Sequence, residues 1–352
     1  MPAARLCRQE IGLKYTMKDI AQACGVSVAL VSRIINNDPT LRCRQETRDK
    51  VLKMIEETLY IPDHNARVLA NGFRKSKKDV RIGYVSYKGA SKITNPYFDK
   101  IIEGITTILA EQEYSVSSFY IDDVVSACQR REPLSEKIFD GLILFGSVPS
   151  KIVSYLRDQT RYLSSVYGAE IPGADFVGSD IFMTMNYAVD YAKKLGYEKL
   201  GLILGNDKKR EEALMRYIGS VGMTVDTDFC FAAGNDYASA YEQTMQKLRA
   251  GSLPEIICAM NDEMAIGAMD AVFECGYSVP EDVSIIGHDD IARSSYSRVP
   301  LTTVRIFKKE IGRLVSDLLL ERINYRRKFA VRVMVPCELI QRKSTRKKET
   351  TL

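Results

Sequence analysis

Cysteine and histidine are the side chains best suited to hold a metal or attack a substrate, and their spacing here argues against both uses. The eight cysteines, at positions 7, 24, 43, 128, 230, 258, 275 and 337, are scattered, none forms a C-x-x-C pair, and only two histidines accompany them. Zinc sites take such ligands in close pairs, and disulfide frameworks belong to short secreted chains dense in cysteine. The pattern predicts isolated thiols in a reducing compartment. There is no G-x-S-x-G, no P-loop and no G-x-G-x-x-G, which are the short motifs of hydrolases and nucleotide-binding enzymes. No catalytic residue, metal or cofactor is therefore expected. What remains is chemistry of recognition. The Cys24-Gly25-Val26-Ser27 turn stands between two short apolar-periodic segments, and polar residues follow apolar runs at Asn261-Asp262 and at Asp289-Asp290. A carboxylate at the end of a strand can accept hydrogen bonds from the donors of a small ligand.

Charge is distributed unevenly. Residues 1–79 hold fifteen Lys/Arg against nine Asp/Glu, and the last twelve residues five against one, whereas residues 80–340 hold thirty against thirty-five. A basic head on a mildly acidic body suits a polyanionic partner. A solvated basic surface is the competing reading, so charge alone does not decide. Apolar residues make up 45% and charged residues 27% of the 352, an ordinary globular balance for two or three domains. No run of about 18 apolar residues is present, so no membrane partner is expected. The opening segment lacks the apolar core of an export signal, so a cytoplasmic protein is expected.

The elements that must position these groups fall into two regimes. Met17–Ala23 is expected to be helical, with Ile20, Ala21 and Cys24 inward. Gly25 can take the left-handed conformation that ends a helix, and Ser27 can cap the next one through its hydroxyl. That second helix is expected from Val28 to about Asn36, stopped by Asn37-Asp38-Pro39. A third is expected from Glu46 to Leu59, with Thr47, Val51, Met54, Ile55 and Leu59 inward. Two short helices joined by a glycine-containing turn make a helix-turn-helix. Residues 62–79 carry Arg67, Arg74, Lys75, Lys77 and Lys78 and read as a linker too short to be helical alone.

From Val80 onward strands and helices alternate. Strands are expected at Arg81–Ser86, Tyr114–Tyr120, Gly141–Phe145, Arg161–Val166, Leu200–Leu204, Phe229–Ala233, Glu255–Ala259 and Val283–Gly287. Helices between them include Tyr97–Gln112, Thr184–Leu195 and Asp262–Cys275. This alternation predicts parallel sheets covered on both faces, and about 260 residues suffice for two lobes with a ligand cleft between them.

At this point particular residues resemble a family. Thr16-Met17-Lys18-Asp19-Ile20-Ala21, Gly25-Val26-Ser27 and Val31-Ser32-Arg33-Ile34-Ile35-Asn36 are similar to the DNA-binding head of the lactose-repressor (LacI/GalR) family. Glu46-Thr47-Arg48, Ala66-Arg67-Val68-Leu69 and Asn95-Pro96-Tyr97-Phe98 continue the likeness. So do Val279-Pro280-Glu281-Asp282, Gly287-His288-Asp289-Asp290, Pro300-Leu301-Thr302-Thr303-Val304 and Pro336-Cys337-Glu338-Leu339-Ile340, so that it spans residues 16–344. Asn36–Leu41 and the Arg305 region further resemble the subgroup that represses evolved β-galactosidase operons.

The resemblance implies an all-α helix-turn-helix head and an α/β periplasmic-binding-protein-like core of two parallel-sheet lobes. The implied domains are an extension over 1–15, a head over 16–61, a hinge over 62–79, a core over 80–344 and a basic tail over 345–352. Lobe 1 would comprise about 80–176 and 305–330, lobe 2 about 177–304 and 331–344. The implied function is a repressor of a carbohydrate operon, a homodimer on a pseudo-palindromic DNA operator, governed by a sugar such as a galactoside.

The second head helix would then enter the major groove, with Val28, Ala29 and Arg33 facing bases and Thr16, Ser27, Ser32 and Asn36 on phosphates. Arg33 can donate two hydrogen bonds to a guanine edge. Leu30 stands where the family has Thr, which removes one phosphate contact. In the hinge, Ala66 would let two copies pair and Leu69 would wedge into the minor groove; an ordinary core leucine is the competing reading. For the effector, the family pattern falls on Arg210, Asn261 and Asp289, with Tyr97 and Phe98 as apolar wall. Asn261 and Asp289 read equally as turn residues holding backbone N–H groups, and Tyr97 and Phe98 as lobe core. The strand ending Ser164-Ser165-Val166-Tyr167 lacks the common Asp; the aromatic expected near Asn235 is missing, although Tyr237 is close; and His288 stands where a Tyr is usual. Two alternatives remain: a sugar-binding protein of the same core fold without DNA function, and an α/β enzyme.

Overall fold

In the computed structural model the described residues are 17–35, 41–58, 77–86, 96–168, 171–180 and 182–348. They fall into two compact units, the first ending at Arg74 and the second beginning at Lys75.

The first unit holds α1 (Met17–Cys24), α2 (Val28–Ile35) and α3 (Gln45–Glu57). Gly25, at φ 69°, ends α1. Its N–H donates to the Gln22 carbonyl at 3.2 Å and that of Val26 to Ala21 at 3.0 Å, the paired closure that satisfies the last carbonyls of a helix. The Ser27 hydroxyl accepts from the Leu30 N–H at 3.2 Å and so starts α2. Ile20, Ala21, Cys24, Val31, Ile34 and Val51 form a small closed core with Val26, Leu30, Met54 and Ile55 against it. Leu30, the residue that departs from the family, thus serves packing. Lys50 ties α3 to the end of α1 by donating to the Cys24 carbonyl at 3.0 Å. The expected extension over 1–15, the breaker Asn37-Asp38-Pro39, the inward Leu59 and hinge residues 62–76 lie outside the described residues.

The second unit carries two six-stranded sheets. The first is built from β1 (Ile82–Ser86), β2 (Val116–Tyr120), β3 (Phe139–Phe145), β4 (Thr160–Val166), β5 (Asp175–Gly178) and β11 (Arg332–Met334). The second is built from β6 (Lys199–Leu204), β7 (Thr224–Ala232), β8 (Ile256–Ala259), β9 (Ser284–Asp289), β10 (Thr302–Ile306) and β12 (Cys337–Ile340). Strand order is β11-β5-β4-β3-β1-β2 and β12-β10-β9-β8-β6-β7, parallel except for the antiparallel pair β10–β12. The centre strands β3 and β8 are buried throughout, as a sheet covered on both faces demands. Between the strands run α4 (Pro96–Glu111), α5 (Ile121–Arg130), α6 (Ser150–Gln159), α7 (Asn186–Lys194), α8 (Lys208–Ser220), α9 (Tyr237–Arg249), α10 (Asp262–Glu274) and α11 (Lys308–Tyr325). In both sheets the order reverses beside the first strand, between β1 and β3 and between β6 and β8, and ligands of such sheets bind at the carboxyl ends of the strands flanking that reversal.

Three expectations need correcting. The lobe assignment of 331–344 is wrong for its first part: β11 pairs with β5 in the first sheet, and only β12 joins the second. The reason is a buried charge cluster. Asp175, with no exposed side-chain surface, takes Arg327 on both oxygens at 3.0 Å, accepts from the Val331 N–H at 2.7 Å and faces Arg322 at 3.6 Å, which pins the segment after α11 onto β5. The other expected lobe limits shift by two residues, β5 reaching Gly178 and β10 reaching Ile306. The stretch Arg342–Lys348, read as a basic tail, is docked on the second lobe through residue 348: Ser344 exchanges bonds with Ile285 at 2.6 and 2.7 Å, Arg346 N–H donates to the Ser284 hydroxyl, and Lys348 N–H to the Leu195 carbonyl. Strands β5, β10, β11 and β12 had no counterpart among the expected strands.

Helices α4 and α11 approach each other through glycines. A Cβ on Gly104 would strike the Lys309 carbonyl and come within 3.1 Å of the Gly312 Cα, while one on Gly312 would strike the Ile101 carbonyl. Gly104→Ala should therefore lower stability by about 1–3 kcal/mol, a typical cost of overpacking, read as a reduced urea midpoint. Gly219→Ala, at a helical site with nothing within 4 Å, should leave it unchanged or slightly raised; equal behaviour of the two variants would contradict the packing account.

Candidate functional site

On α2 the buried side chains are Val31 and Ile34, while Val28, 43% exposed, Ala29 and Arg33 face solvent and Ser32 is half-buried. At about 100° per residue, Val28, Ser32, Ala29 and Arg33 cover one arc of roughly 140°. A short helix held by its apolar side thus presents two small apolar groups, a hydroxyl and a guanidinium together. Ser27 uses its oxygen to cap α2, which leaves its hydroxyl proton available. Thr16, Asn36, Ala66 and Leu69 lie outside the described residues.

In the second unit, polar and aromatic groups from both lobes converge at the strand ends. Tyr97 and Phe98 occupy the first turn of α4 and meet Tyr167, which follows β4, edge-on at 5.5 and 5.7 Å; Phe98 also meets Phe145 at 5.7 Å. Both are partly buried against the first-lobe core, so wall and core roles coincide. Opposite them, Arg210 in the first turn of α8 is only 9% exposed. Asp207 caps that helix by accepting from the N–H groups of Lys209 and Arg210, which fixes where the guanidinium emerges. One Arg210 Nη lies 3.4 Å from His288 Nε2 and 3.5 Å from Nδ1. The same Nδ1 is 2.9 Å from an Asp289 oxygen.

Burial pushes the His288 pKa down, against the pull of Asp289 and with that of Arg210. The ring is therefore neutral at pH 7, with Nδ1–H donating to Asp289 and the Arg210 Nη nearly equidistant from its two nitrogens. Burial raises Tyr97 well above the usual phenol range, with Asp289 adding to the effect, and raises Tyr167, where Arg210 pulls the other way by charge and by a hydrogen bond. Both phenols are donors throughout the physiological range.

Asp289 and Asp290 have φ of 107° and 51°, the left-handed side that L-residues seldom adopt. Lys308, at the start of α11 and 6% exposed, holds this turn: its ammonium donates to the carbonyls of Asp289, of Asp290 at 3.3 Å and of Ile306 at 3.4 Å. Asp290 is in turn held by Arg305 and Arg342, each at 2.6 Å. Asn261 caps α10 by accepting from the Met264 N–H at 2.8 Å and donates to the Asn235 carbonyl at 3.1 Å. Its oxygen is thus used structurally, and the turn reading describes what it does here. Next to it, Asp262 is fully buried, accepting from Thr303 at 2.6 Å and from the Ile291 N–H at 2.8 Å.

The structure thus brings Tyr97, Phe98, Arg210 and Asp289 together, with Asn261 at an adjacent strand end. Tyr237 is spent elsewhere, donating to Asp270 at 2.8 Å and stacking on Tyr241. Three members escaped the sequence reading. Tyr167 and His288 were visible only as departures from a pattern, and Lys308 had no signal, since nothing in the sequence says that one lysine of Lys308-Lys309 is buried.

Residues 16–63 match the bacterial regulatory proteins of the lacI family, and residues 189–345 a periplasmic-binding-protein-like domain. The chain is 30% identical over 341 residues to the HTH-type transcriptional repressor MelR of Bacillus subtilis (strain 168), covering 93% of this chain and 96% of that one. Among solved structures it resembles the transcriptional regulator CelR in its cellobiose complex, with TM-score 0.65, 21% identity and 94% and 99% of the two chains covered. It also resembles the lac repressor dimer bound to operator and the anti-inducer ONPF, with TM-score 0.63, 22% identity and 95% and 100% covered.

The buried carboxyl of Asp262 yields a pH prediction. Burial, reinforced by the charge of Asp289, raises its pKa to about 8. A folded-state pKa above the unfolded one, about 3.9, means that this group's contribution is most favourable below pH 4 and is lost as pH rises through about 8. Stability should therefore fall between pH 5 and 8 more steeply in the wild type than in Asp262→Asn. Parallel pH profiles of the two proteins, by chemical denaturation, would refute it.

Proposed function

The chain belongs to the LacI family of bacterial regulatory proteins, and on that premise we propose that it represses a carbohydrate-utilisation operon by binding a pseudo-palindromic operator as a homodimer, and that a sugar in the cleft of its second unit controls that binding. The observation that carries the reading is the recognition face of α2: Val28, Ala29, Ser32 and Arg33 on one side of a helix that the head core holds from the other. Its apolar members suit thymine methyls and Arg33 suits the O6 and N7 of guanine. Ser27 and Ser32, with Thr16 and Asn36, are proposed to set register on phosphates, and Ala66 and Leu69 to form the minor-groove hinge.

The cleft supports an effector site on three grounds: an aromatic wall at Tyr97, Phe98 and Tyr167, an acceptor at Asp289, and a donor fork at Arg210. Asn261 is proposed to contribute its amide at the rim. CelR with its cellobiose is an example of this fold bound to a sugar. The two walls belong to different lobes, so a ligand that bonds both prefers one lobe angle, and this differential affinity is what an effector needs to shift DNA binding. No described helix is long and apolar enough to cross a membrane, and a DNA-bound regulator works in the cytoplasm. A regulator of this kind has no catalytic step, and we assign none to the His288–Asp289 pair. The reading as a sugar-binding protein without DNA function leaves the head, residues 16–63, without a use.

Fluorescence anisotropy with DNA from upstream of its own operon should detect binding whose affinity falls steeply with salt. Arg33→Ala should weaken it by about 1–3 kcal/mol and relax preference at one base pair. Leu69→Ala should weaken specific binding while sparing the weak, salt-sensitive binding to random DNA. Failure of the wild-type chain to distinguish that DNA from a scrambled duplex would end the proposal.

A further inference from the structure

Resting on the reading that the cleft holds the effector, we propose that this effector is an acidic sugar, a uronate or aldonate whose carboxylate pairs with the Arg210 guanidinium while its ring lies on the aromatic wall. The first observation is Arg210 itself. It is nine-tenths buried, its Nε has no hydrogen-bond partner among the described residues, and it makes no ion pair among them. Among the described residues its guanidinium meets His288 and the Tyr167 hydroxyl, both neutral. A guanidinium out of water without an anion is costly, and its planar fork matches a carboxylate in two parallel hydrogen bonds.

The second observation is how the neighbouring charges are disposed. Lys308 adds another buried cation, 5.9 Å from the centre of the Tyr97 ring. Its protons are committed to three backbone carbonyls, so it contributes positive potential and makes no side-chain ion pair among the described residues. The nearby carboxylates do not restore the balance. Asp290 lies between Arg305 and Arg342, and Asp262 is buried against Thr303 with its acidity suppressed. Asp207 is spent capping α8. Asp289 is held by the neutral His288 ring, whose Nδ1 is 2.9 Å from it and 3.5 Å from the Arg210 Nη, and no direct ion pair joins Asp289 to Arg210 among the described residues. The site therefore has an acceptor for hydroxyls at one end and an unsatisfied cation at the other. A neutral hexose can bond both ends through its hydroxyls but brings no charge to the guanidinium; a hexuronate brings the bonds and the charge. Its carboxylate would face Arg210 and its ring hydroxyls Asp289, with its C–H face toward Tyr97 and Phe98.

The test is calorimetry on the full-length protein with matched pairs: D-galacturonate against D-galactose, D-glucuronate against D-glucose, and D-gluconate against D-glucitol. In at least one pair the acid should bind ten times tighter or more, and raising salt should reduce that advantage. Arg210→Gln should remove the preference, and Arg210→Lys should keep it at lower affinity. The thermal midpoint of each variant reports whether it is folded. Equal or tighter binding of the neutral member in every pair, no binding of any acid, or tighter binding of D-glucose 6-phosphate than of the acids would overturn the inference. Operator titrations separate the two claims. A neutral sugar that releases DNA where acids do not sinks this inference and leaves the regulator standing. An acid that binds in the cleft without changing operator affinity overturns the inference, since the ligand is then no effector, and removes sugar control from the regulator reading while leaving its DNA binding untouched.

Discussion

The second unit is organised around one buried ammonium. Lys308 stands where the chain leaves β10 of the second sheet and enters α11, which packs on the first lobe, and it donates to the carbonyls of Asp289, Asp290 and Ile306. The first two carbonyls belong to a turn with two consecutive positive-φ residues that are not glycine, and the third ends β10. Such a turn persists only where its surroundings hold it. A cation with three donors and no acceptor suits three converging carbonyls. Because Asp289 is part of the turn, the same bonds set the direction of the cleft carboxylate, and because Lys308 begins α11, they fix it to the helix that crosses between lobes.

Burial of charge follows a different rule in each part of the unit. In the first lobe Asp175 is fully occupied by Arg327, Arg322 and a backbone N–H, and its role is to bring β11 to the sheet edge. Around Asp290 two arginines share one carboxylate, which attaches the last residues to the second lobe. In the cleft the pairing is incomplete: among the described residues Arg210 meets His288 and Tyr167, both neutral. Structural ion clusters are closed and the cleft is open, and that contrast is the physical mark of a ligand site.

The head solves a smaller problem by local means. A double hydrogen bond at Gly25 and a hydroxyl at Ser27 bend the chain between α1 and α2, and six buried side chains close the core. With so little apolar surface, only one side of α2 can be buried, and the other is left for recognition. The second unit needs two sheets and helices on both their faces to bring its recognition groups together, and those groups come from residues as far apart in sequence as Tyr97 and Asp289.

The amino-acid sequence alone determined whatever depends on near neighbours. The Gly25–Ser27 turn, the faces of α1 and α2, and the buried runs of β1, β3, β6, β8 and β9 could all be read, because helix capping and burial on both sheet faces leave marks within a few residues. Arg210 and Asp289 were legible through the motifs around them. The tertiary structure decided the rest. Strands β11 and β12 lie at sheet edges, and β5 and β10 mix polar with apolar residues, so none leaves a continuous apolar run, and β11 was drawn to the first sheet by Asp175 from more than 150 positions away. The same holds for Arg342–Lys348, which looks like a basic tail until Asp290, Ile285 and Glu255 are brought beside it. It holds for His288, Tyr167 and Lys308 too, whose roles arise from burial and from partners on other elements. A residue's own type says what bonds it can make; only the fold says which of them are left unmade.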